Sequence, residues 1–436
     1  MLKALPLFSV KTAIKSIPLT LRKPTVQKIS TAMFTQGMLS LSNFVVGFAV
    51  AKHATKSEYG IYVVLFSIMG IVGNYQNALI NSPLTVIAPK KESHEKIQFI
   101  SGLAFGQWIV FIPISVISII IISFYSYLYK DITTLKYSLV VILATLSYLF
   151  REFIRTVNYS KMRTNLLLKM DTFFLVFIAL GILVLVFSNM VTSSLSMTIL
   201  GAGYVFAAVV GIYLSNDKYR INSESIKNAF RETWNYSSWA LVGVTSDIFK
   251  NQGYIYVVSA ILGLDKIAEI SAARLFLMPV GLFVASSGKI ILAKGSDILN
   301  SAGSGRFRMF IFSITIFLVL VWLSYSIGLL VMVDYLISIL GGKYGHIHYL
   351  IMLWSGFFLI YSLRYSITTA LVACAEFRNL ATYDVISAII TVVSCLALTH
   401  LFGAYGTIVS LIVGELALLL FASSRLLNYW NNRSLA

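Results

Sequence analysis

The sequence predicts an all-α polytopic membrane protein of about twelve transmembrane helices, arranged as two six-helix parallel repeats around a central cavity. Hydrophobic residues make up 58% of the 436 and charged residues only 12%, with a mean hydropathy of +0.83. A soluble domain needs far more polar surface than that. Apolar runs of bilayer length recur from one end of the chain to the other. The cations cluster on alternate connections between those runs.

About 20 apolar residues cross the hydrocarbon core as a helix. On that ruler the spans lie near 31–51, 60–82, 97–128, 137–154, 170–189, 194–215, 238–263, 267–290, 309–333, 349–373, 384–401 and 404–426. The third is too long for one straight crossing and carries Pro113, which predicts a kink or an extension beyond the bilayer. The spans divide the chain into a basic N-terminal arm (1–30), an N-terminal six-helix bundle (31–215), a linker (216–237), a C-terminal six-helix bundle (238–426) and a tail (427–436). The arm carries Lys3, Lys11, Lys15, Arg22, Lys23 and Lys28 and no acid. Without an apolar core followed by a small-residue cleavage site it does not read as a secretory signal. It reads as a tail that fixes topology, or as an arm drawn to anionic lipid.

Of the 34 Lys and Arg residues, 26 flank one side of the spans, 6 the other, and Lys250 and Arg274 fall within the membrane. The positive-inside rule makes the richer side, with both termini, cytoplasmic. The same asymmetry accounts for the net charge of +17 without invoking nucleic acid.

The halves echo each other. Arg151 and Asp171 frame the connection between spans four and five, and Arg364 and Asp384 frame that between ten and eleven, at a constant offset of 213. Gly203 and Gly211 of span six recur in spacing as Gly406 and Gly414 of span twelve. Because six is even, each half starts on the same side and the repeat is parallel.

Polar stripes run along three spans at helical spacing: Gln36, Ser40 and Asn43; Ser67, Gly70, Asn74, Asn77 and Asn81; and Asp247, Lys250, Asn251 and Tyr254. Such residues cannot face lipid cheaply, so each stripe meets either a neighbouring helix, as interhelical glue, or water. Three stripes in the spans that open the two halves point to a shared wet cavity. Lys250 lies near the midplane, where an ammonium costs roughly 2.5–3.5 kcal/mol on insertion scales. Asp247, one turn away, could offset part of that cost as a structural pair. Arg274, in the outer half of span eight, and Arg364, in the inner third of span ten, have no obvious acid. Glu415 is the one other well-embedded carboxylate. A net basic cavity attracts an anion, and Arg forks onto phosphate oxygens. The candidate substrate-binding residues are therefore Lys250, Arg274, Arg364 and Arg151, with the amides Asn74, Asn77 and Asn251, and the candidate ion-coupling group is Asp247.

Other motifs are weak. Ser301–Gly305 lacks the Gly-Lys-Ser/Thr of a phosphate-binding loop and reads as a flexible linker. His346 and His348 lie on a loop with no metal signature, and Cys374 and Cys395 read as packing residues. No metal or cofactor is expected. The expected outer connections are too short to carry catalytic groups, which argues against an enzyme.

The stretches Ser42-Asn-Phe44, Ser57-Glu-Tyr-Gly-Ile-Tyr62, Asn81-Ser-Pro-Leu-Thr85 and Gly403-Ala-Tyr-Gly-Thr-Ile-Val-Ser410 resemble O-antigen and polysaccharide flippases of the Wzx type. These belong to the multidrug/oligosaccharidyl-lipid/polysaccharide exporter (MOP) superfamily. The resemblance implies a flippase in the bacterial cytoplasmic (inner) membrane. Its substrate would be an undecaprenyl-diphosphate-linked oligosaccharide, a lipid-diphosphate-linked glycan moved to the outer leaflet by alternating access. It implies as partners membrane lipids and other polysaccharide-assembly proteins. The alternatives are a multidrug or organic cation exporter of the same superfamily, which would favour acids in its cavity, and a membrane enzyme of polysaccharide assembly, against which the short outer connections argue.

Overall fold

The computed structural model describes residues 23–129, 132–217, 219 and 222–434, and the described residues form helices and short connections, with no strand. Residues 1–22 of the expected basic arm lie outside the described residues, as do Lys218 and Arg220 of the expected linker.

Helix α1 spans Lys23–His53. Helix α2 starts at Lys56, where the Thr55 hydroxyl accepts from the Glu58 amide in a Thr-x-x-Glu sequence. It runs to Gln76, passes through a π turn at Asn77–Asn81 and continues over Ser82–Ile87. Pro83 explains part of that irregularity, because it has no N–H to give to the Leu79 carbonyl. The Ser237 hydroxyl of the seventh helix donates to that carbonyl instead, at 3.0 Å. Helices α3 (Ser93–Tyr129, containing Pro113), α4 (Ile132–Ser160), α5 (Thr164–Phe187) and α6 (Ser193–Ser215) complete the first set. Helix α6 is capped by Thr192 and ends on Asn216 in the left-handed region.

Helix α7 (Ser223–Ile261) opens the second set under an Asn222 cap. Helix α8 begins as Leu264–Leu275, bends by 59° and continues from Met278. Helical geometry from Met278 to Ile339 is broken at Gly303, φ 80° and ψ 175°. The chain reverses there, since Phe307 packs on Gly295, which a straight helix would hold about 18 Å away. Residues 278–302 complete α8 and 304–339 form α9. The expected flexible linker at Ser301–Gly305 is thus corrected to a tight turn between helices. Helix α10 is His348–Ala373. Phe377–Ser434 likewise reverses at Gly403, φ 60° and ψ −138°, where Thr399 meets Thr407 at 2.9 Å. Residues 377–402 are α11 and 404–434 are α12.

Nine described helices are long and apolar enough to span a membrane, and the bent α8 is a tenth. Helix α7, whose polar stripe lowers its hydropathy, and the reversal at Gly403 bring the described helices to twelve. The packing repeats between sets: α1 lies on α5 and α4 on α6, as α7 lies on α11 and α10 on α12. Arg151 and Arg364 fall on the corresponding helices α4 and α10, and Asp171 and Asp384 on α5 and α11.

One buried core, at the expected outer side, joins the two sets, from Val46, Tyr62 and Tyr204 to Ile267, Tyr344 and Trp354. Toward the other side lie two smaller cores. One holds Ile80, Phe99, Leu149 and Met170, with Ala229 where α7 meets α3; the other holds Ile291, Phe307, Leu371 and Leu426.

Candidate substrate cavity

Repeat-related aspartates organise the buried charge. In the first set Asp171, fully buried, accepts from Arg151 Nη2 at 2.6 Å and from Arg155 Nε at 3.3 Å. Arg151 also donates to Glu152 at 2.7 Å and is 1% exposed, its guanidinium lying over the Phe174 ring at 4.4 Å. A group so enclosed meets no substrate in this conformation. Arg155, one turn further along α4, is more open and reaches Gln36 of α1 at 3.4 Å. The spacing could have shown it, because Arg151 and Arg155 share one helix face.

In the second set Asp384 of α11 accepts from Lys250 Nζ at 3.2 Å. The Asp247–Lys250 pair allowed by the sequence is therefore corrected: the long lysine crosses to the neighbouring helix, and Asp247 accepts from the Asn251 amide at 2.6 Å. Arg364, expected without an acid, donates Nε to Glu415 of α12 at 2.6 Å and stacks on Tyr361. Asp247 lies in electrostatic reach of Lys250, Arg364 and Asp384. The cluster sets the cations Lys250 and Arg364 against the carboxylates Asp247, Asp384 and Glu415, so the net basic character expected here is corrected.

Arg274 stands apart. It points inward, donating to the Tyr254 hydroxyl at 3.1 Å and lying 5.2 Å from the Trp354 ring, and its Nε has no hydrogen-bond partner. No carboxylate lies in salt-bridge range of it among the described residues. Directly after it α8 breaks, and the Tyr325 hydroxyl donates to the Phe276 carbonyl at 2.6 Å. The aromatic partners Tyr254 and Trp354 held no charge signal in the sequence, although Tyr254 belongs to the α7 stripe.

Helices α2 and α7 face each other through Ser67 and Tyr256 at 2.7 Å and Tyr75 and Thr245 at 3.3 Å. Asn74 is half-buried and Asn77 exposed. The expected shared face does not extend to Asn81, because the π turn shifts the register. Asn81 is buried and donates to Gln76, which donates in turn to Gln107 and to the Leu149 carbonyl. Gln76 and Gln107 had no place in the sequence stripe. Among the described residues no group of three or more His, Cys, Asp or Glu could hold a metal ion.

No protein-family model matches the sequence, and no curated protein matches it. Solved structures do match in fold. Lipid II flippase MurJ, in an inward closed conformation, aligns with a TM-score of 0.67 at 14% identity, covering 91% of this chain and 86% of that one. An inward-facing multidrug resistance MATE family transporter of the MOP superfamily aligns at 0.66 and 12% identity, covering 91% and 96%. A MOP superfamily transporter from Pyrococcus furiosus, described as having a binding pocket of reverse polarity, aligns at 0.58 and 13% identity, covering 92% and 94%. The chain is a polytopic helical membrane protein with the fold of MOP-superfamily transporters and flippases. At these identities the likeness is one of fold.

Proposed function

We propose that the protein is a flippase that moves an undecaprenyl-diphosphate-linked oligosaccharide from the inner to the outer leaflet of a bacterial cytoplasmic membrane by alternating access. The observation that carries this reading is Arg274, an inward guanidinium with no carboxylate partner and a free Nε, beside a broken helix. Broken helices form midplane substrate sites in many transporters. A diphosphate that sheds its water needs a fixed cation, and a planar guanidinium can fork onto it. Lys250 and Arg364 would reach the headgroup only by exchanging Asp384 and Glu415 for phosphate, which links substrate entry to rearrangement of the second set. Asn74, Asn77 and Asn251 offer amides to the glycan. Asp247, which accepts a hydrogen bond from the Asn251 amide, is the group proposed to exchange the coupling ion. Residues 31–215 and 238–426 are the units that would rock, with both termini cytoplasmic.

The second reading is export of an organic cation, favoured by the three carboxylates that face two cations in the second set. Proteoliposomes separate the two. A fluorescent undecaprenyl-diphosphate-linked sugar should change leaflet with the wild-type protein. Arg274→Ala should slow it by about tenfold or more, the loss of a charge-assisted hydrogen bond. Arg274→Lys should recover part of the rate, keeping charge without the fork. Uptake of a fluorescent organic cation with no lipid movement would replace the flippase reading by the second one.

A further inference from the structure

Four of the six lysines on the expected outer side, Lys52, Lys56, Lys266 and Lys343, gather where the two sets meet, although they come from α1, α2, α8 and the α9–α10 connection. Lys56 and Lys266 hold the two oxygens of Glu269, at 2.9 and 2.8 Å. Lys343 donates to the Ala54 carbonyl, and its loop runs beside the Lys52 carbonyl at Gly341. The Lys56 and Lys343 ammoniums lie 5.7 and 6.0 Å from the Tyr344 ring. That ring is buried, and its hydroxyl has no hydrogen-bond partner among the described residues. The carboxylates of Glu269 and Asp265 lie within electrostatic reach of it.

Partly exposed ion pairs add little to closure, so holding the sets together does not account for four lysines. Against them stand two carboxylates, and the surplus is positive, the opposite of the balance around Lys250 and Arg364. Tyr59 links this group to Arg274, being within electrostatic reach of both Arg274 and Tyr344. A diphosphate diester carries a negative charge on each phosphate, and Arg274 alone leaves one of them unmet. Glu269 shows where two ammoniums already hold an anion, and a phosphate in its place would also meet the unused Tyr344 donor. Lysines hold phosphate as point charges, without the fork of an arginine, which suits a station that must let its anion go. We infer that Lys56, Lys266, Lys343 and the Tyr344 hydroxyl form a phosphate site at the outer mouth, which the Glu269 carboxylate fills in this conformation and which takes the diphosphate of the outgoing lipid from Arg274. The inference rests on reading the substrate as a lipid diphosphate. It adds an exit station for the anion, outside the cavity of Arg274, with an internal carboxylate as competitor.

The test uses the full-length protein carrying Arg274→Ala, so that the cavity cation contributes nothing, in nanodiscs of phosphatidylcholine. The probe is inorganic pyrophosphate, its binding read by titration calorimetry. In that background Lys56→Gln and Lys266→Gln should each weaken binding by about tenfold. Glu269→Gln should tighten it by a similar factor, because the internal competitor is gone; a carboxylate that served closure alone would give no such gain. Absent binding, or binding indifferent to all three changes, would overturn the inference. Polyprenyl diphosphate added to the nanodiscs should weaken pyrophosphate binding, and the same amount of phosphatidylglycerol should not. No effect of the lipid diphosphate would make the site one for free phosphate, and equal competition by phosphatidylglycerol would make it an ordinary headgroup contact; either result overturns the assignment to the outgoing lipid. If the wild type flips no lipid diphosphate but the lysine and Glu269 variants shift pyrophosphate binding as stated, the flippase reading fails and the phosphate site stands. If flipping is intact and the lysine variants bind pyrophosphate as Arg274→Ala alone does, the site fails and the flippase reading stands.

Discussion

Arg151 and Arg155 share the carboxylate of Asp171, but their surroundings give them different work. Arg151 is enclosed by Asp171, Glu152 and the Phe174 and Tyr204 rings. Removing one member of a buried pair leaves the other charge uncompensated, at a cost of about 3–5 kcal/mol. Arg151→Ala should therefore cut the yield of folded protein and lower its melting temperature in detergent. Arg155 opens toward Gln36, so Arg155→Ala should keep the yield near wild type and slow transport. Normal yield and full thermal stability for Arg151→Ala would return that residue to the list of substrate contacts. The sequence marked Arg151, Arg364 and Asp384 by their offset but left their partners open. Pairing depends on which helices are neighbours, and the contact of α10 with α12 that joins Arg364 to Glu415 is a tertiary fact with no local signature. Tyr254 and Trp354 were illegible as a seat for Arg274 for the same reason.

At the scale of helices, span number and order were legible because bilayer thickness sets a length that the apolar runs must meet. Register was less so. Pro83 announces a lost hydrogen bond, but nothing local announces that the π turn will carry Asn81 away from the face of Asn77. The two reversals at Gly303 and Gly403 are each achieved by a glycine with positive φ, where a side chain would be strained. Closure of the α11–α12 hairpin is fixed at its other end by Glu376, which precedes α11 and accepts from Arg425 of α12 at 3.1 Å. The Asn379 amide, with Arg425, holds the Glu376 carboxyl below the usual range. A depressed carboxylate contributes stability above its unfolded pKa, and that contribution is lost as pH falls through the folded value. Solubilised protein should thus lose stability below about pH 4, and Glu376→Gln should remove that part of the acid dependence. An acid profile identical in wild type and Glu376→Gln would deny the hairpin tie any weight.

For the molecule as a whole, under the proposed alternating access the core that joins the two sets on the expected outer side is the contact that must open. Several contacts hold that outer closure. Lys56 of α2 pairs with Glu269 of α8 at 2.9 Å, and Lys343 of the α9–α10 connection donates to the Ala54 carbonyl. Tyr344 is buried beside them, 1% exposed, with the Lys56 ammonium 5.7 Å from its ring. Gly60 lies so close to the Leu264 backbone that a Cβ there would collide with the carbonyl. Partly exposed ion pairs contribute little, about 0.2–1 kcal/mol each, so the close helix contact at Gly60 is the stronger element of the closure. Gly60→Val should force α2 and α8 apart and shift the population outward. A cysteine placed at Tyr254, facing Arg274, should then react faster with a membrane-impermeant thiol reagent added from the outer side. The opposite change is a disulfide between Ala54→Cys and Lys343→Cys in a background where Cys374 and Cys395 are serine. It should lock these outer contacts, stop transport and be released by reductant. Undiminished transport with that disulfide fully formed would mean that the outer contacts do not open during the cycle, and alternating access through this face would have to be abandoned.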